Sequence, residues 1–461
     1  MCRRSSSGSS VARFWPQPVT SAGTKTSTPE TPEAPATPLK RALTTPLLFL
    51  FILGDVLGAG VYVLVGQVAG ESGGAVWVPL LAALALALLT AGSYAELATK
   101  YPRAGGAAHY TRRAFGPFTG FLTGFCMLAA GIVSVAALAR AFGGEYLTVF
   151  VSLPVALVAV LFLAALALLN ARGIRESMRA NVVATLIEVG GLLLIAGLGL
   201  RIVLRGDGDF GALTRLGTPE HGPLAAVLGG AVLAYYSFVG FETSVNLAEE
   251  TRDPRRSYPR ALFGALGAAG LVYGLVGVAA TVSVPTGRLV ESSGPLLEVV
   301  EAAGGLPEEL FGAVALVAVA NGALLTGIMS SRLAYGMARD GLLPGFLTRV
   351  LPGRRTPWAA IAATTGIAML FALTGDVATL ASTLVLLLLV VFAAVNTAVL
   401  ALRRDGGGTG HFRVPAVFPV LGVASCVLLA TRVEGAVWAR GLPLIGAGAL
   451  LALVAARRHR D

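Results

Sequence analysis

Charged residues are scarce in this chain: Asp, Glu, Lys and Arg together make up only 13% of its 461 residues. A soluble domain carries about a quarter charged residues, so this chain has too little charge to cover a water-facing surface. Hydrophobic residues make up 55% of the sequence, and its mean hydropathy is +0.76. The scarcity of charge excludes an ordinary soluble globular protein and indicates that lipid surrounds most of the chain.

Cysteine and histidine are also few, with three and four copies respectively. No pair has the spacing of a metal site, and no disulfide framework is indicated. The sequence contains no GxSxG, HExxH or paired-Asp motif, so neither a metal site nor an enzyme is predicted. A membrane-embedded enzyme and a channel remain the alternatives. A channel would need a polar repeat lining its pore, whereas the spans here carry isolated acids.

Apolar segments of about 20 residues, the length needed to cross a bilayer, follow the first 42 residues. These residues are rich in Ser, Thr and Pro and predict a disordered tail. The sequence predicts an all-α polytopic membrane protein with a tail (1–42), a ten-helix core (43–404) and two further helices (405–461). The predicted spans lie near 45–68, 76–98, 116–141, 151–170, 182–204, 225–247, 261–283, 309–336, 358–373, 377–402, 415–431 and 435–456.

Basic residues are distributed unevenly across the predicted membrane. Of the 35 Lys and Arg residues, 28 fall on the side of the N-terminal tail, which we call the tail side. Cytoplasmic loops carry such an excess, so the sequence predicts a multi-pass cell-membrane protein with both termini in the cytoplasm. Because topology explains the net charge of +10, no nucleic-acid partner is predicted. The expected partners are the lipid bilayer and a small-molecule substrate.

Glycine interrupts two spans near their middle. The first span, LFLFILGDVLGAGVYVLVG, contains Gly58, Ala59 and Gly60, and the sixth, LAYYSFVGFETSVNLAEE, contains Gly240. Irregular backbone at membrane depth is tolerated only around a cavity or inside protein, although small residues also allow close helix packing. The interruptions lie five spans apart, which is expected of two inverted repeats with a binding site at their interface.

Four segments resemble the amino acid–polyamine–organocation superfamily of transporters, in that family's order. They are GDVLGAGVYVLVG (54–66), YAELATKYPRAGGAAHY (94–110), YSFVGFETSVNLAEETRDPRRSYPRAL (236–262) and SSRLAYGMARDGLLP (330–344). The resemblance implies a five-plus-five inverted-repeat core, the fold of the sodium-coupled leucine transporter. It also implies secondary transport of amino acids. A polyamine or another organic amine as substrate, and exchange instead of net uptake, are the alternatives.

The resemblance further implies where an amino acid binds. The substrate carboxylate would meet backbone N–H groups of the broken first span at Ala59, Gly60 and Val61, because a helix N-terminus presents unpaired donors. The substrate ammonium would meet backbone carbonyls, and aromatic rings of the sixth span would line or gate the side-chain pocket. The implied substrate-binding residues are Val56, Gly58, Ala59, Gly60, Val61, Tyr236, Phe238, Val239, Gly240 and Phe241.

Four residues are candidates for coupling or gating. Glu242 directly follows the second break, and an ionisable group at membrane depth is a functional hypothesis by default; the alternative is a structural partner for a hydroxyl such as that of Thr243 or Ser237. By resemblance, Ser330 and Ser331 would supply oxygens to a cation site. Several proton-coupled relatives carry a lysine in the fifth span where this chain has Glu188. A carboxylate there can bind a proton or complete an oxygen shell for Na⁺; burial favours H⁺ as the coupling ion, Na⁺ is the alternative ion, and helix packing is the alternative role. No other cofactor is predicted.

Two more acids, Asp55 and Glu96, lie inside predicted spans. We expect them to anchor helix packing or to form salt bridges. Few acids are then expected in the pocket, which favours a neutral or zwitterionic substrate over a polyamine.

Overall fold

The computed structural model describes residues 43–58, 60–102, 105–172, 177–219, 222–249, 251–352, 356–404 and 410–458. The predicted tail at 1–42 lies outside these residues. Regular structure in the described residues is helical throughout, apart from one isolated β-bridge between Leu43 and Thr251. The all-α prediction is therefore confirmed for the part of the chain that the structure describes.

The helices of the first half begin close to the predicted span boundaries. They are α1 (Thr45–Leu57), α2 (Gly60–Ser72), α3 (Trp77–Lys100), α4 (Gly106–Phe115), α5 (Pro117–Phe142), α6 (Glu145–Thr148), α7 (Val155–Arg172), α8 (Ser177–Arg205) and α9 (Pro223–Ser237). The helices of the second half are α10 (Pro254–Ser283), α11 (Thr286–Glu291), α12 (Pro295–Ala303), α13 (Glu308–Arg339), α14 (Trp358–Thr374), α15 (Val377–Leu402), α16 (Val417–Ala430) and α17 (Gly435–Arg458). Three 3₁₀ segments complete the set: Phe210–Thr214, Phe241–Leu247 and Gly345–Thr348.

Nine helical segments in the described residues are long and apolar enough to cross a membrane, and α1 with α2 makes a tenth when taken as one bent span. The apolar helices α14 and α16 are shorter, with 17 and 14 residues. Every predicted span coincides with one of these helices or with the α1–α2 pair to within a few residues. The chain is thus a polytopic membrane protein.

Local sequence explains where several helices begin and turn. Pro117, Pro223 and Pro254 occupy the first positions of α5, α9 and α10, where a missing N–H costs no helical hydrogen bond. Between α4 and α5 the chain turns at Gly116, whose φ is +93°. Glycine adopts this left-handed conformation without strain.

The outer surface carries large apolar side chains. Leu168, Leu204 and Leu370 are 66%, 78% and 64% exposed, which is expected only where lipid covers them. Inside, α5 packs against α4, α13, α14, α15 and α17. The first and sixth spans lie side by side, because α2 packs against α9 and α1 contacts the 3₁₀ segment that follows α9.

A buried ion pair joins three elements at the tail side. Arg403, just after α15, donates from Nε to Glu96 Oε1 at 2.7 Å and from Nη2 to Glu96 Oε2 at 2.5 Å. The backbone N–H of Val414 donates to the same carboxylate at 3.0 Å. The salt-bridge prediction for Glu96 is therefore confirmed. This two-bond pairing fixes α3 against the end of α15 and against the segment that precedes α16.

Candidate functional site

The first span is broken where the sequence predicts. Helix α1 ends at Leu57, α2 begins at Gly60, and the two axes differ by 43°. Ala59 lies outside the described residues. A Cβ built on Gly60 would lie 2.7 Å from Ser237 Cα, closer than real atoms approach. Gly60 therefore allows the backbones of the first and sixth spans to touch, so close packing and helix interruption occur at the same residue.

The sixth span is broken at the matching level. Helix α9 ends at Ser237, and after a turn the chain continues as the 3₁₀ segment Phe241–Leu247. Between them Gly240 has φ +124°, which an L-residue rarely adopts. A Cβ there would lie only 2.7 Å from the Asp55 carbonyl oxygen. The two predicted interruptions thus face each other: Gly60 is required for space, and Gly240 for both space and conformation.

Tyr273 of α10 bridges the two breaks and is not among the residues predicted from the sequence. Its hydroxyl group lies 2.6 Å from the Val56 carbonyl oxygen and 3.0 Å from the Ser237 carbonyl oxygen. These carbonyls lose their helical partners at the breaks, and an unpaired buried carbonyl is costly. The only signal in the sequence is a polar aromatic residue inside the otherwise apolar seventh span. Tyr273 therefore stabilises the relative position of the broken spans.

Replacing Tyr273 with phenylalanine is expected to lower the uptake rate about tenfold, because two carbonyls at the breaks lose their shared donor. Initial rates in proteoliposomes, normalised to inserted protein, measure this effect. The control is Tyr335→Phe in α13, since the Tyr335 hydroxyl has no hydrogen bond to the described residues. Equal rates for Tyr273→Phe and the wild type would show that the bridge is dispensable.

A cavity of about 460 Å³ lies against the two breaks and is walled by α1, α5, the end of α9, the 3₁₀ segment and α13. It extends past the breaks to residues 105–108 at the start of α4 and to Asn246, both on the tail side. Eight of the residues predicted from the sequence line it: Val56, Gly58, Gly60, Tyr236, Val239, Gly240, Glu242 and Ser330. The structure thus brings the two halves of the predicted site together.

Other predicted residues are buried but do not line the cavity, namely Val61, Phe238, Phe241, Glu188 and Ser331. Phe238 is fully buried and packs edge-on against Tyr273, with ring centroids 5.2 Å apart. Phe241 packs against Tyr94 and Phe392 at centroid distances of 5.7 and 5.6 Å. In this structure the two phenylalanine rings therefore pack in the core beside the break, and Tyr236 is the aromatic residue of the sixth span that lines the cavity.

Two carboxylates flank Gly240 at the cavity wall. Glu242 Oε2 accepts a hydrogen bond from the Gly240 N–H at 2.9 Å, so this side chain stabilises the start of the 3₁₀ segment. Asp55 accepts a hydrogen bond from the Thr243 hydroxyl and lines the cavity. The sequence predicts that Asp55 anchors helix packing or forms a salt bridge. The bond from Thr243 joins the first span to the sixth, which agrees with the packing role; Asp55 has no ion pair within the described residues, and it also borders the cavity.

Glu188 lies in a separate buried polar cluster between α8 and α13. Its Oε1 accepts a hydrogen bond from Asn321 Nδ2 at 3.1 Å, whereas Oε2 has no hydrogen-bond partner in the described residues. Asn321 also donates to Asn181 Oδ1 at 3.2 Å. Tyr62 donates to the Glu188 carbonyl at 2.7 Å. One oxygen of the Glu188 carboxylate is thus buried without a partner in the described residues, while the other joins α8 to α13.

The two serines of the eighth span direct their hydroxyl protons to their own helix. Ser330 donates to the Thr326 carbonyl at 2.8 Å, and Ser331 donates to the Ile328 carbonyl at 3.0 Å. Ser331 also accepts a hydrogen bond from Asn170 Nδ2 at 3.2 Å. Only Ser330 borders the cavity, so the structure does not bring the two hydroxyl groups to a common site there.

Two apolar spans broken at mid-length, with a cavity between them, define a polytopic membrane transport protein. The family model described as amino acid permease matches residues 43–439. The chain belongs to the amino acid permease family, and the resemblance to the amino acid–polyamine–organocation superfamily is confirmed.

Several curated proteins are similar over most of this chain. An uncharacterized transporter of Mycobacterium tuberculosis is 30% identical over 403 residues, which cover 86% of this chain and 87% of that protein. The methylthioribose transporter of Bacillus subtilis is 25% identical over 449 residues, covering 91% and 94%. The vacuolar cationic amino acid transporter 4 of Arabidopsis thaliana is 31% identical over 369 residues, covering 76% and 61%. The relatives agree on transport and differ in the substrate named.

Proposed function

We propose that this protein is a secondary active transporter that moves amino acids across the cell membrane by alternating access, coupled to protons. The observation that carries the proposal is the cavity at the junction of the two broken spans. Its volume of about 460 Å³ falls in the range of roughly 300–1,000 Å³ typical of small-molecule sites. Helix α2 begins at Gly60, and the free N–H groups of its first turn suit a carboxylate.

The proposed core consists of two inverted repeats, spans one to five and six to ten. The matching breaks in the first and sixth spans support this arrangement, because broken helices at equivalent positions of two repeats are typical of such transporters. α16 and α17 are then additional helices outside the repeats. The substrate would bind between the repeats, against Gly60 on one side and Gly240 on the other.

The cavity extends toward the tail side, and the opposite side is closed by aromatic packing. Tyr62 of α2 and Phe311 of α13 stack with ring centroids 6.0 Å apart, and Tyr146 of α6 donates to the Tyr62 carbonyl at 2.5 Å. All three side chains are fully buried. With the termini in the cytoplasm, this structure corresponds to an inward-facing state. Alternating access would require these three residues to separate.

Both termini are proposed to face the cytoplasm, on the strength of the 28 tail-side basic residues. A C-terminal epitope tag should be reached by antibody only after the cells are permeabilised. A tag stained on intact cells would overturn the orientation and with it the inward-facing assignment.

The coupling ion is proposed to be the proton. Glu242 borders the cavity and Glu188 has a buried carboxylate oxygen without a partner in the described residues, and a carboxylate at membrane depth is suited to proton transfer. Of the two eighth-span serines only Ser330 borders the cavity, which offers less support for a sodium site built from both hydroxyl oxygens. Uptake of labelled amino acids into proteoliposomes should follow an imposed pH gradient without sodium. Uptake that requires sodium and ignores the pH gradient would defeat proton coupling.

Glu242→Gln is expected to remove the pH dependence of transport, because glutamine keeps the shape of the side chain and cannot titrate. The measurement is the initial uptake rate across a pH series, with Glu309→Gln on the exposed outer end of α13 as the matched control. Glu188→Gln, measured in the same series, shows whether the pH dependence comes from Glu188 or from Glu242. An unchanged pH profile in both variants would remove both from the coupling mechanism.

A further inference from the structure

Asp55 is held in a defined position at the cavity wall. Its carboxylate accepts a hydrogen bond from the Thr243 hydroxyl. A Cβ built on Gly240 would lie 3.2 Å from Asp55 Cγ. The Glu242 carboxylate binds the N–H of the same glycine at 2.9 Å. Both acids are therefore placed at Gly240, one from each broken span. Asp55 is the less buried of the two, since Glu242 is only 4% exposed whereas Asp55 is half-buried.

Acidic side chains outnumber basic ones among the described residues that line the cavity. Its described lining residues include two acids, Asp55 and Glu242, and one base, Arg332. In the described residues neither acid forms an ion pair with any arginine or lysine. A carboxylate at membrane depth is costly without a compensating positive charge. A cationic group of the substrate would supply the positive charge that Asp55 lacks.

The position of Asp55 along the cavity indicates which part of a substrate would meet it. Asp55 and Thr243 lie on the tail side of the breaks, whereas Gly60 begins the helix on the other side. A substrate carboxylate held at the start of α2 would leave the substrate side chain in the part of the cavity that extends past Thr243 to Asn246. Like charges also keep that carboxylate away from the two acids.

We propose that Asp55 is a specificity-determining residue that binds a positively charged group at the end of the substrate side chain, such as a guanidinium or a second ammonium. The preferred substrate is then a dibasic amino acid, in contrast to the neutral or zwitterionic cargo expected from the sequence. This inference rests on the proposed function, because it uses the carboxylate position at α2. Thr243 acts as a positioning residue that orients the Asp55 carboxylate.

The test compares labelled L-arginine with labelled L-citrulline, which has nearly the same shape and lacks the side-chain charge. KM values are measured in proteoliposomes for the wild type, Asp55→Asn and Asp55→Glu. Asp207→Asn is the matched control, because Asp207 is exposed after α8 and far from the cavity in the chain. The wild type should have a KM for arginine at least about tenfold below that for citrulline, the usual size of a hydrogen bond between charged groups.

Asp55→Asn should raise the KM for arginine to that for citrulline and leave the citrulline value unchanged. Asp55→Glu should keep part of the preference, and Asp207→Asn should match the wild type. Equal KM values in the wild type, or a rise for both substrates in Asp55→Asn, would overturn the proposal. The second result would mean that Asp55 binds the shared α-ammonium or supports the fold.

Agmatine is arginine without its carboxylate. Its transport distinguishes a failure of the proposed role of Asp55 from a failure of the proposed amino acid transport. Transport of agmatine and of neither amino acid, with loss of transport in Asp55→Asn, would retain Asp55 as a cation receptor and refute amino acid transport. Transport of citrulline but not arginine would retain amino acid transport and refute the role of Asp55. Transport of none of the three compounds, with none of the other labelled amino acids taken up, would refute both.

Discussion

Gly60→Ala is expected to reduce uptake to background, a loss of at least about a hundredfold. The added Cβ would lie 2.7 Å from Ser237 Cα and 3.1 Å from Ser237 Cβ. The first of these contacts is with backbone, which cannot move aside without separating the broken spans. Because the new Cβ forces the two spans apart at their junction, the binding site is lost whether or not Gly60 itself contacts the substrate. Uptake per inserted transporter measures the loss.

The matched control is Gly366→Ala in α14, where a new Cβ meets no atom within 4 Å. This variant should transport at the wild-type rate, because alanine is also the better helix former. Membrane insertion is checked for both variants by surface biotinylation and gel filtration. Wild-type uptake by a well-inserted Gly60→Ala protein would contradict the contact between the first and sixth spans.

Arg403→Ala is expected to destabilise the protein by about 3–5 kcal/mol, because it leaves the Glu96 carboxylate buried without its partner. The Glu96 side chain is only 2% exposed and that of Arg403 is 11% exposed, so water cannot replace the guanidinium. Thermal unfolding of the purified protein in detergent should show a midpoint lower by several degrees.

Removing both charges should be less harmful than removing one. The double variant Glu96→Gln/Arg403→Gln is expected to recover most of the lost stability, since no unpaired charge remains. Arg404→Ala, at the exposed neighbouring position, controls for the loss of a basic residue and should unfold like the wild type. Equal midpoints for Arg403→Ala and Arg404→Ala would show that the buried pair contributes nothing measurable.

The sequence predicts the spans and their breaks well because both depend on local properties. Runs of apolar residues reveal the spans, and Gly58, Gly60 and Gly240 reveal the breaks because glycine weakens a helix. The superfamily resemblance places the site at those breaks, and the cavity lies there. The inverted repeat and the coupling ion stay predictions.

The directions of side chains near the breaks could not be predicted. The segment after Gly240 is 3₁₀, with about 3.0 residues per turn instead of 3.6, so its residues face differently from those of an α-helix. Phe241 consequently packs against Tyr94 and Phe392 instead of lining the cavity. Hydropathy also cannot show which face of α1 borders the cavity, so the position of Asp55 at the cavity wall does not follow from the sequence.

Tyr273 could not be found for a different reason. Its hydroxyl bonds to carbonyls of two other spans, at Val56 and Ser237, and these partners are distant in the sequence. A single tyrosine in an apolar span has no periodic or local pattern that predicts such a contact. Tertiary packing therefore decides its role.

The most direct test of the central claim asks whether a transported amino acid occupies the cavity between the broken spans. Thr326 lines the cavity on α13, and Thr326→Cys would place a thiol there. Cys126 and Cys426 are buried, so replacing Cys2 with serine leaves the new thiol as the main target for a membrane-permeant maleimide. Asp340→Cys, at the exposed tail-side end of α13, is the control. The account predicts that the transported amino acid slows labelling of Thr326→Cys severalfold and does not affect Asp340→Cys. Equal labelling of Thr326→Cys with and without a saturating transported amino acid would contradict it.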